Sequence, residues 1–256
     1  MFDLNLPLVI GHRGAAAHAP ENTLAGFRKA RELGCAWVEF DVRSAAGDAL
    51  IVCHDAKLDR TTNGPGRAAT MPLAAIRRLD AGSWFSVDFA GERVPTVEDS
   101  LALCRELGLG ANVEIKAERG RGAATAAAVS ACLDRFAGRL PPILISSFLT
   151  EAVAEASAHS PTIPRGMLWR KIPRDWQRRA AELGCATIHA DHNSLSESLV
   201  AAICGAGYPL LAYTVNDAAR ARQLFGWGVT SVFSDAPDII LAAAGTFAGA
   251  RRGARL

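Results

Sequence analysis

Two pairs of charged residues stand two apart inside apolar, strand-like runs. Glu39 and Asp41 lie in WVEFDV, and Glu114 and Lys116 lie in NVEIK. Side chains alternate along a strand, so each pair leaves one face while Phe40 and Ile115 leave the other, toward a helix layer. Turning carboxylates inward from an apolar strand is costly unless something neutralises them. A divalent cation held by Glu39, Asp41 and Glu114 removes that cost. An all-oxygen donor set of this kind favours Mg²⁺ or Ca²⁺ over zinc. The competing reading is a structural ion pair between Glu39 or Asp41 and Arg13 or Arg43. Three acids on two neighbouring inward strands weigh against it.

Histidines end two apolar runs. His12 and Arg13 close the first, in IGHRGAAAHAPENT, and His54 with Asp55 closes ALIVCHDA. Imidazoles beside a cation are suited to taking one proton and giving another near neutral pH. Arg13 and Lys116 add positive charge at the same place, the arginine able to grip two oxygens and the lysine acting as a point charge. Cation, arginine and lysine together point to an anionic ligand, phosphate before carboxylate. His18 is placed to line the first loop, His189 to face inward, His192 to lie at a strand's mouth end, and His159 to be exposed. Tyr213 is placed to wall the substrate site. Trp37 shares the inward face of Glu39 and Asp41 at a deeper level. Trp84 and Phe85 are expected in the insertion's own small core rather than as a cap on the mouth, and Trp169, Trp176 and Trp227 in helix packing or loop anchors. Asn22 and Thr23 read most simply as a helix cap, and Glu21 as a tie between the first loop and the site.

Eight short β-rich runs carry these residues, at 7–12, 35–42, 111–116, 142–148, 164–168, 186–191, 209–215 and 229–234. Helical patterns separate them. Leu24, Phe27 and Ala30 recur at threes before Gly34, and Val97, Leu101 and Cys104 share a face before Gly108. Single helices between short strands indicate a parallel sheet, and eight such units in this length fit a closed (β/α)8 barrel, the TIM barrel. The glycine fingerprint of a dinucleotide fold is absent, and GPGRAA at 64–69 follows a polar turn rather than a strand. Residues 55–95 are too long and turn-rich for an ordinary connection and read as an insertion over the barrel mouth, with a short helix near 72–79. The whole chain, 1–256, reads as one domain.

With 28 basic against 26 acidic residues the net charge is +2, and no block of like charge offers a nucleic-acid or membrane-surface footprint. The RRGARL tail reads as frayed chain. SLVAAICGAGYPLLAYTVN lacks charge but is broken by Gly205, Gly207 and Pro209 into helix, turn and strand rather than a membrane span. No secretory signal precedes the first strand, and the 6 cysteines are scattered without a CxxC pair, so a cytoplasmic protein with reduced thiols is expected. Nothing here sets an oligomeric state.

HRGAAAHAPENTLAGF (12–27), VEFDV (38–42), HD (54–55), LDRTTNG (58–64), DAGSWF (80–85), VEIK (113–116), SSF (146–148) and YTVN (213–216) together resemble the glycerophosphodiester phosphodiesterase family, most closely its cytoplasmic bacterial form. The resemblance spans roughly residues 8 to 240. It implies a β/α barrel with a small insertion between the second strand and second helix. It also implies metal ligation by Glu39, Asp41 and Glu114, an acid–base pair in His12 and His54, and phosphate binding by Arg13 and Lys116. The reaction it implies is metal-dependent hydrolysis of a small sn-glycero-3-phosphodiester to sn-glycerol 3-phosphate and an alcohol. Tyr213 stands where the family commonly has tryptophan, and SAAGDA (44–49) replaces the usual acidic–glycine hairpin turn. The alternatives are a related barrel acting on lysophospholipids or sphingomyelin, and a barrel that binds phosphodiesters without cleaving them.

Overall fold

Valine, isoleucine and leucine runs bounded by polar turns form nine strands in the computed structural model, which describes residues 4–136 and 138–244. They are β1 (Val9–Gly11), β2 (Trp37–Ser44), β3 (Leu50–Val52), β4 (Gly110–Ile115), β5 (Ile143–Ser147), β6 (Arg165–Trp169), β7 (Thr187–Asp191), β8 (Leu210–Tyr213) and β9 (Ser231–Ser234). All but β3 run parallel, in the order β1, β2, β4 to β9, and β9 pairs back onto β1 with Val9 opposite Val232 and Gly11 opposite Ser234. The result is the closed eight-stranded (β/α)8 barrel, with every parallel strand's C-terminal end at one mouth.

Helices α1 (Leu24–Glu32), α3 (Val97–Leu107), α4 (Gly122–Asp134), α5 (Thr150–His159), α6 (Trp176–Glu182), α7 (Glu197–Gly205) and α8 (Ala218–Trp227) surround it, with a further helix over 237–244; α2 (Leu73–Ile76) belongs to the insertion. Their starts follow local chemistry. Thr23 caps α1 by accepting from the Gly26 amide at 3.1 Å, and Thr96 and Asp99 form a reciprocal capping box on α3. Gly108 closes α3 in a left-handed conformation, φ 65°, where a side chain would be strained.

Strand alternation separates two cores. Val38, Phe40, Val42, Val113 and Ile115 face outward and are buried against α1 and α3. Phe27 of α1 meets Phe40 at 5.5 Å between ring centroids. Truncating Phe40 to alanine is expected to cost about 3–5 kcal/mol of stability, a loss that urea unfolding measures. Inside the barrel, Ile10, Trp37, Leu144, Leu211 and Phe233 pack into an apolar floor, which bears out the inward, deeper placement of Trp37. Gly110 is required here, because any side chain would run into the Trp37 indole.

Beyond β2 the chain doubles back. β3 pairs antiparallel with β2, Val42 opposite Val52 and Ser44 opposite Leu50, so the apolar run before His54 is a ninth strand outside the parallel set. From there to α3 the insertion packs its own core from Leu58, Ala68, Ile76, Ala81 and Val94, together with Ile51. Trp84 and Phe85 are not part of that core. Trp84 is 40% exposed, its indole donating to the Ala81 carbonyl, and it meets Phe85 edge to face, as Phe85 meets Phe89. The uncharged stretch at 198–216 divides into α7, a turn and β8. Among the described residues no helix is long and apolar enough to cross a membrane. RRGARL lies outside the described residues.

Candidate active site

The inward side chains of β2 and β4 converge near the mouth. Register places Asp41 beside Glu114, and Glu39, Asp41 and Glu114, all buried, bring carboxylate oxygens within 4.8 Å of one another. Burial first, then repulsion from Asp41, pushes the Glu39 carboxyl well above the ordinary range, and burial likewise raises Glu114. Burial pushes Asp41 the same way, but Lys116 and Arg13 outweigh it and hold the group below its ordinary value.

Two cations answer part of this charge. Lys116 Nζ lies 2.5 Å from Glu114 and 3.4 Å from Asp41, and stands over the Phe148 ring at 5.3 Å. Arg13 approaches Asp41 with Nε at 3.2 Å and donates from Nη1 to Glu21 at 2.8 Å, which makes Glu21 the anticipated tie from the first loop to the site. Its backbone N–H donates to Glu39 at 2.9 Å from a left-handed conformation, φ 51°. The ion pair between Asp41 and Arg13 is therefore present alongside the acid cluster. Arg43 turns away and donates to the His54 carbonyl at 2.7 Å.

With all three ionised, these acids exceed the charge of Arg13 and Lys116 by one. Glu39 Oε1 is buried without a hydrogen-bond partner among the described residues. A hard divalent cation satisfies both conditions, and the donor set of three carboxylates fits one.

Each histidine is held through Nδ1 by a carboxylate. His12 Nδ1 donates to Asp235 at 2.6 Å, leaving Nε2 toward Glu39 at 3.8 Å, and His54 Nδ1 donates to Asp55 at 2.6 Å. Asp235 is itself fixed by Asn216, whose side chain donates to it at 2.7 Å and accepts its N–H at 2.8 Å. Arg60 holds Asp55 at 2.7 Å while gripping both oxygens of Glu21. That hydrogen bond, ahead of burial, brings Asp55 down to about 2. Burial lowers His12, but the Asp235 hydrogen bond and the Glu39 charge overcome it and the imidazole is raised overall; burial leads at His54, which is lowered.

His12, His54, Arg13, Glu39, Glu114 and Lys116 line one side of a cavity of about 180 Å³. Asn112, Phe148, Leu168, Arg170, Tyr213, Thr214 and Phe233 line the rest. Asp41 sits behind the first wall. Tyr213 stands in this lining, its ring 5.7 Å from that of Phe148. Asn22, expected with Thr23 as a helix cap, does not cap α1. Thr23 alone caps α1, while Asn22 adopts φ 58° and clasps Asp41, donating to its carboxylate at 2.9 Å and accepting its N–H at 3.1 Å.

Of the other histidines, His18 pairs with Asp238 at 2.8 Å, His189 is fully buried with burial bringing it down to about 3, and His159 is exposed beside Glu155. His192 follows β7 in a short 3-10 turn. Asp235 and Asn216 were missed in the sequence. Asp235 directly follows β9, the same strand-end position that singled out His12, and that was the available signal.

Residues 12–239 match the glycerophosphoryl diester phosphodiesterase family. The chain is similar to the glycerophosphodiester phosphodiesterase of Bacillus subtilis, 32% identical over 91% of this chain and 84% of that one. It is also similar to that of Caldanaerobacter subterraneus subsp. tengcongensis, 30% identical over 91% and 96% of the two chains. Among solved structures it superposes with a TM-score of 0.89 on an Oleispira antarctica phosphodiesterase in complex with the product sn-glycerol-3-phosphate, 38% identical and covering 93% of this chain and 96% of that one. A glycerophosphodiester phosphodiesterase from Agrobacterium tumefaciens superposes at 0.79, with 30% identity over 93% of this chain and 100% of its own. The matched span carries the acid cluster and both histidines, and the chain belongs to the glycerophosphoryl diester phosphodiesterase family of enzymes.

Proposed function

We propose that the chain hydrolyses sn-glycero-3-phosphodiesters such as glycerophosphocholine and glycerophosphoethanolamine to sn-glycerol 3-phosphate and the head-group alcohol, acting in the cytoplasm with one Mg²⁺ or Ca²⁺. The observation that carries this reading is the gathering of three carboxylates, two bases and two carboxylate-held imidazoles around one cavity. A divalent cation held by Glu39, Asp41 and Glu114 supplies Lewis acidity toward phosphoryl oxygen. With all three ligands ionised, a bound cation would bring the local net charge to +1, matching the single negative charge of a phosphodiester.

Arg13 and Lys116 bind the phosphate oxygens and offset charge that grows as the transition state forms. His12 and His54 divide the proton work: one takes the proton of the attacking hydroxyl, the other gives a proton to the departing alkoxide. The attacking hydroxyl belongs to water or to the neighbouring glycerol carbon, the latter gaining from intramolecular placement. Asp235 and Asp55 keep each imidazole in the tautomer that leaves Nε2 free for this exchange.

Asp235→Asn should leave the barrel folded and lower turnover on the order of 10²-fold or more, since an orienting carboxylate in a hydrolytic triad can account for about 10⁴. An altered pH–rate profile alongside the loss marks a positioning role, whereas an unchanged rate removes it. The function itself is tested by incubating the protein with glycerophosphocholine and divalent cation. Choline and glycerol 3-phosphate are expected. Phosphocholine and glycerol would place the cut on the other ester bond, and no product from any glycerophosphodiester would end the reading.

A further inference from the structure

Arg60 belongs to the insertion and does not line the cavity, yet its guanidinium is tied to two side chains that do. Its turn is fixed from beneath. Leu58, Thr61 and Thr62 are buried, and Thr62 Oγ1 donates to the Leu58 carbonyl at 2.8 Å while accepting the Gly64 N–H at 3.1 Å. From that turn Arg60 Nε donates to Asp55 Oδ2 at 2.7 Å. Nη1 and Nη2 donate to the two oxygens of Glu21 at 2.7 and 2.8 Å. Each of these acids also holds an active-site group. Asp55 Oδ1 accepts from His54 Nδ1 at 2.6 Å, and Glu21 Oε1 accepts from Arg13 Nη1 at 2.8 Å.

A chain of hydrogen bonds, His54 to Asp55 to Arg60 to Glu21 to Arg13, therefore runs from the end of β3 through the insertion to the loop after β1. The competing reading is a surface ion pair that merely fastens the insertion. The Arg60 side chain is 45% exposed, and exposed pairs of this kind contribute little to stability. Two features favour a part in the reaction instead. The guanidinium grips Glu21 in a planar two-oxygen fork, which fixes orientation as well as distance. It also lies between two carboxylates that would otherwise face each other with like charge, drawing Glu21 back onto Arg13 and Asp55 back onto His54.

We propose that Arg60, through this fork, is a positioning residue that sets His54 and Arg13 in register with each other. This rests on the phosphodiesterase reading. Arg13 and His54 act on one phosphodiester, the first at a phosphate oxygen and the second at the oxygen that attacks or departs. Their separation must therefore match the substrate, and a misplacement of about 1 Å can lower a rate about 10²-fold. His54 and Arg13 sit on different loops, and Arg60 is the cross-tie between the acids that hold them.

The test measures kcat and KM for glycerophosphocholine with divalent cation in the natural protein, Arg60→Ala and Arg60→Lys. Alanine is expected to lower kcat about 10²-fold through His54 and to raise KM several-fold through Arg13. Lysine keeps the charge but not the fork, and is expected to retain less than about a tenth of the natural kcat. Because the Arg60 position is open to solvent, added guanidinium is expected to restore part of the kcat lost in Arg60→Ala. Calorimetry should show sn-glycerol 3-phosphate binding several-fold more weakly to both variants.

Natural kcat and KM in folded Arg60→Ala, or natural kcat in Arg60→Lys, would overturn the inference. So would a loss that guanidinium leaves unchanged and that accompanies a lowered melting transition, the mark of a tie that only fastens the insertion. Arg60→Lys serves if Arg60→Ala does not fold. Cleavage of no glycerophosphodiester by the natural protein would count against the phosphodiesterase reading instead. Calorimetry would then decide the role of Arg60 alone, equal affinities in natural and variant proteins rejecting it.

Discussion

Hydrolysis of glycerophosphocholine is expected to fall to background when divalent cations are stripped from the protein and to return on adding Mg²⁺ or Ca²⁺. Without a cation, Arg13 and Lys116 cannot balance three ionised carboxylates, so Glu39 keeps a proton, and nothing polarises the phosphoryl oxygen. Stability should follow the same logic. Burial and the neighbouring acids raise Glu39 above its ordinary value of 4.5, so the metal-free fold keeps a proton that the unfolded chain has already released. Stability of the metal-free protein is therefore expected to decline as pH rises from the ordinary carboxylate range toward that raised value. Asp41, held low by Lys116 and Arg13, contributes the opposite trend only in strong acid, where protonation removes its ion pairs.

Bound cation requires ionised ligands, so it should expel the Glu39 proton and flatten the slope. At a cation concentration 100 times the dissociation constant it should add about 2.7 kcal/mol. Thermal melts between about pH 5 and 8, with and without cation, measure both effects. Full activity after thorough chelation would refute the metal requirement.

Replacing His12 or His54 with alanine is the second large effect. Each loss is expected to cost about 10²–10⁴ in kcat, the usual share of a general acid or base. Neither ring belongs to an apolar core; their side chains are 17% and 32% exposed, so the melting transition should shift little. Metal affinity should also persist, because neither ring is one of the three carboxylates. A folded, metal-bound variant turning over near the natural rate would strike that histidine from the mechanism.

What could be read from the sequence follows from where each contact is encoded. The period of two in VEFDV and VEIK is a local property, and it places Glu39, Asp41 and Glu114 on one wall with Phe40 and Ile115 on the other. The parallel barrel follows from alternating strand and helix patterns. Asp235 is different. Its bond to His12 spans 223 positions and exists only because β9 closes onto β1, a pairing that no local pattern shows. Asn22 misleads for a physical reason, since asparagine is favoured both as a helix cap and in the left-handed conformation, and the neighbouring Thr23 performs the capping. β3, three residues long, is too short for alternation to register. Trp84 and Phe85 have the composition of a core, but the insertion's smaller aliphatic residues fill that space first.

One cation held by three acids is the central claim, and anomalous scattering from crystals grown with Mn²⁺ as a substitute tests it most directly. One strong peak bounded by Glu39, Asp41 and Glu114 is the predicted result. The absence of a peak there in crystals that hold the cation elsewhere would contradict it.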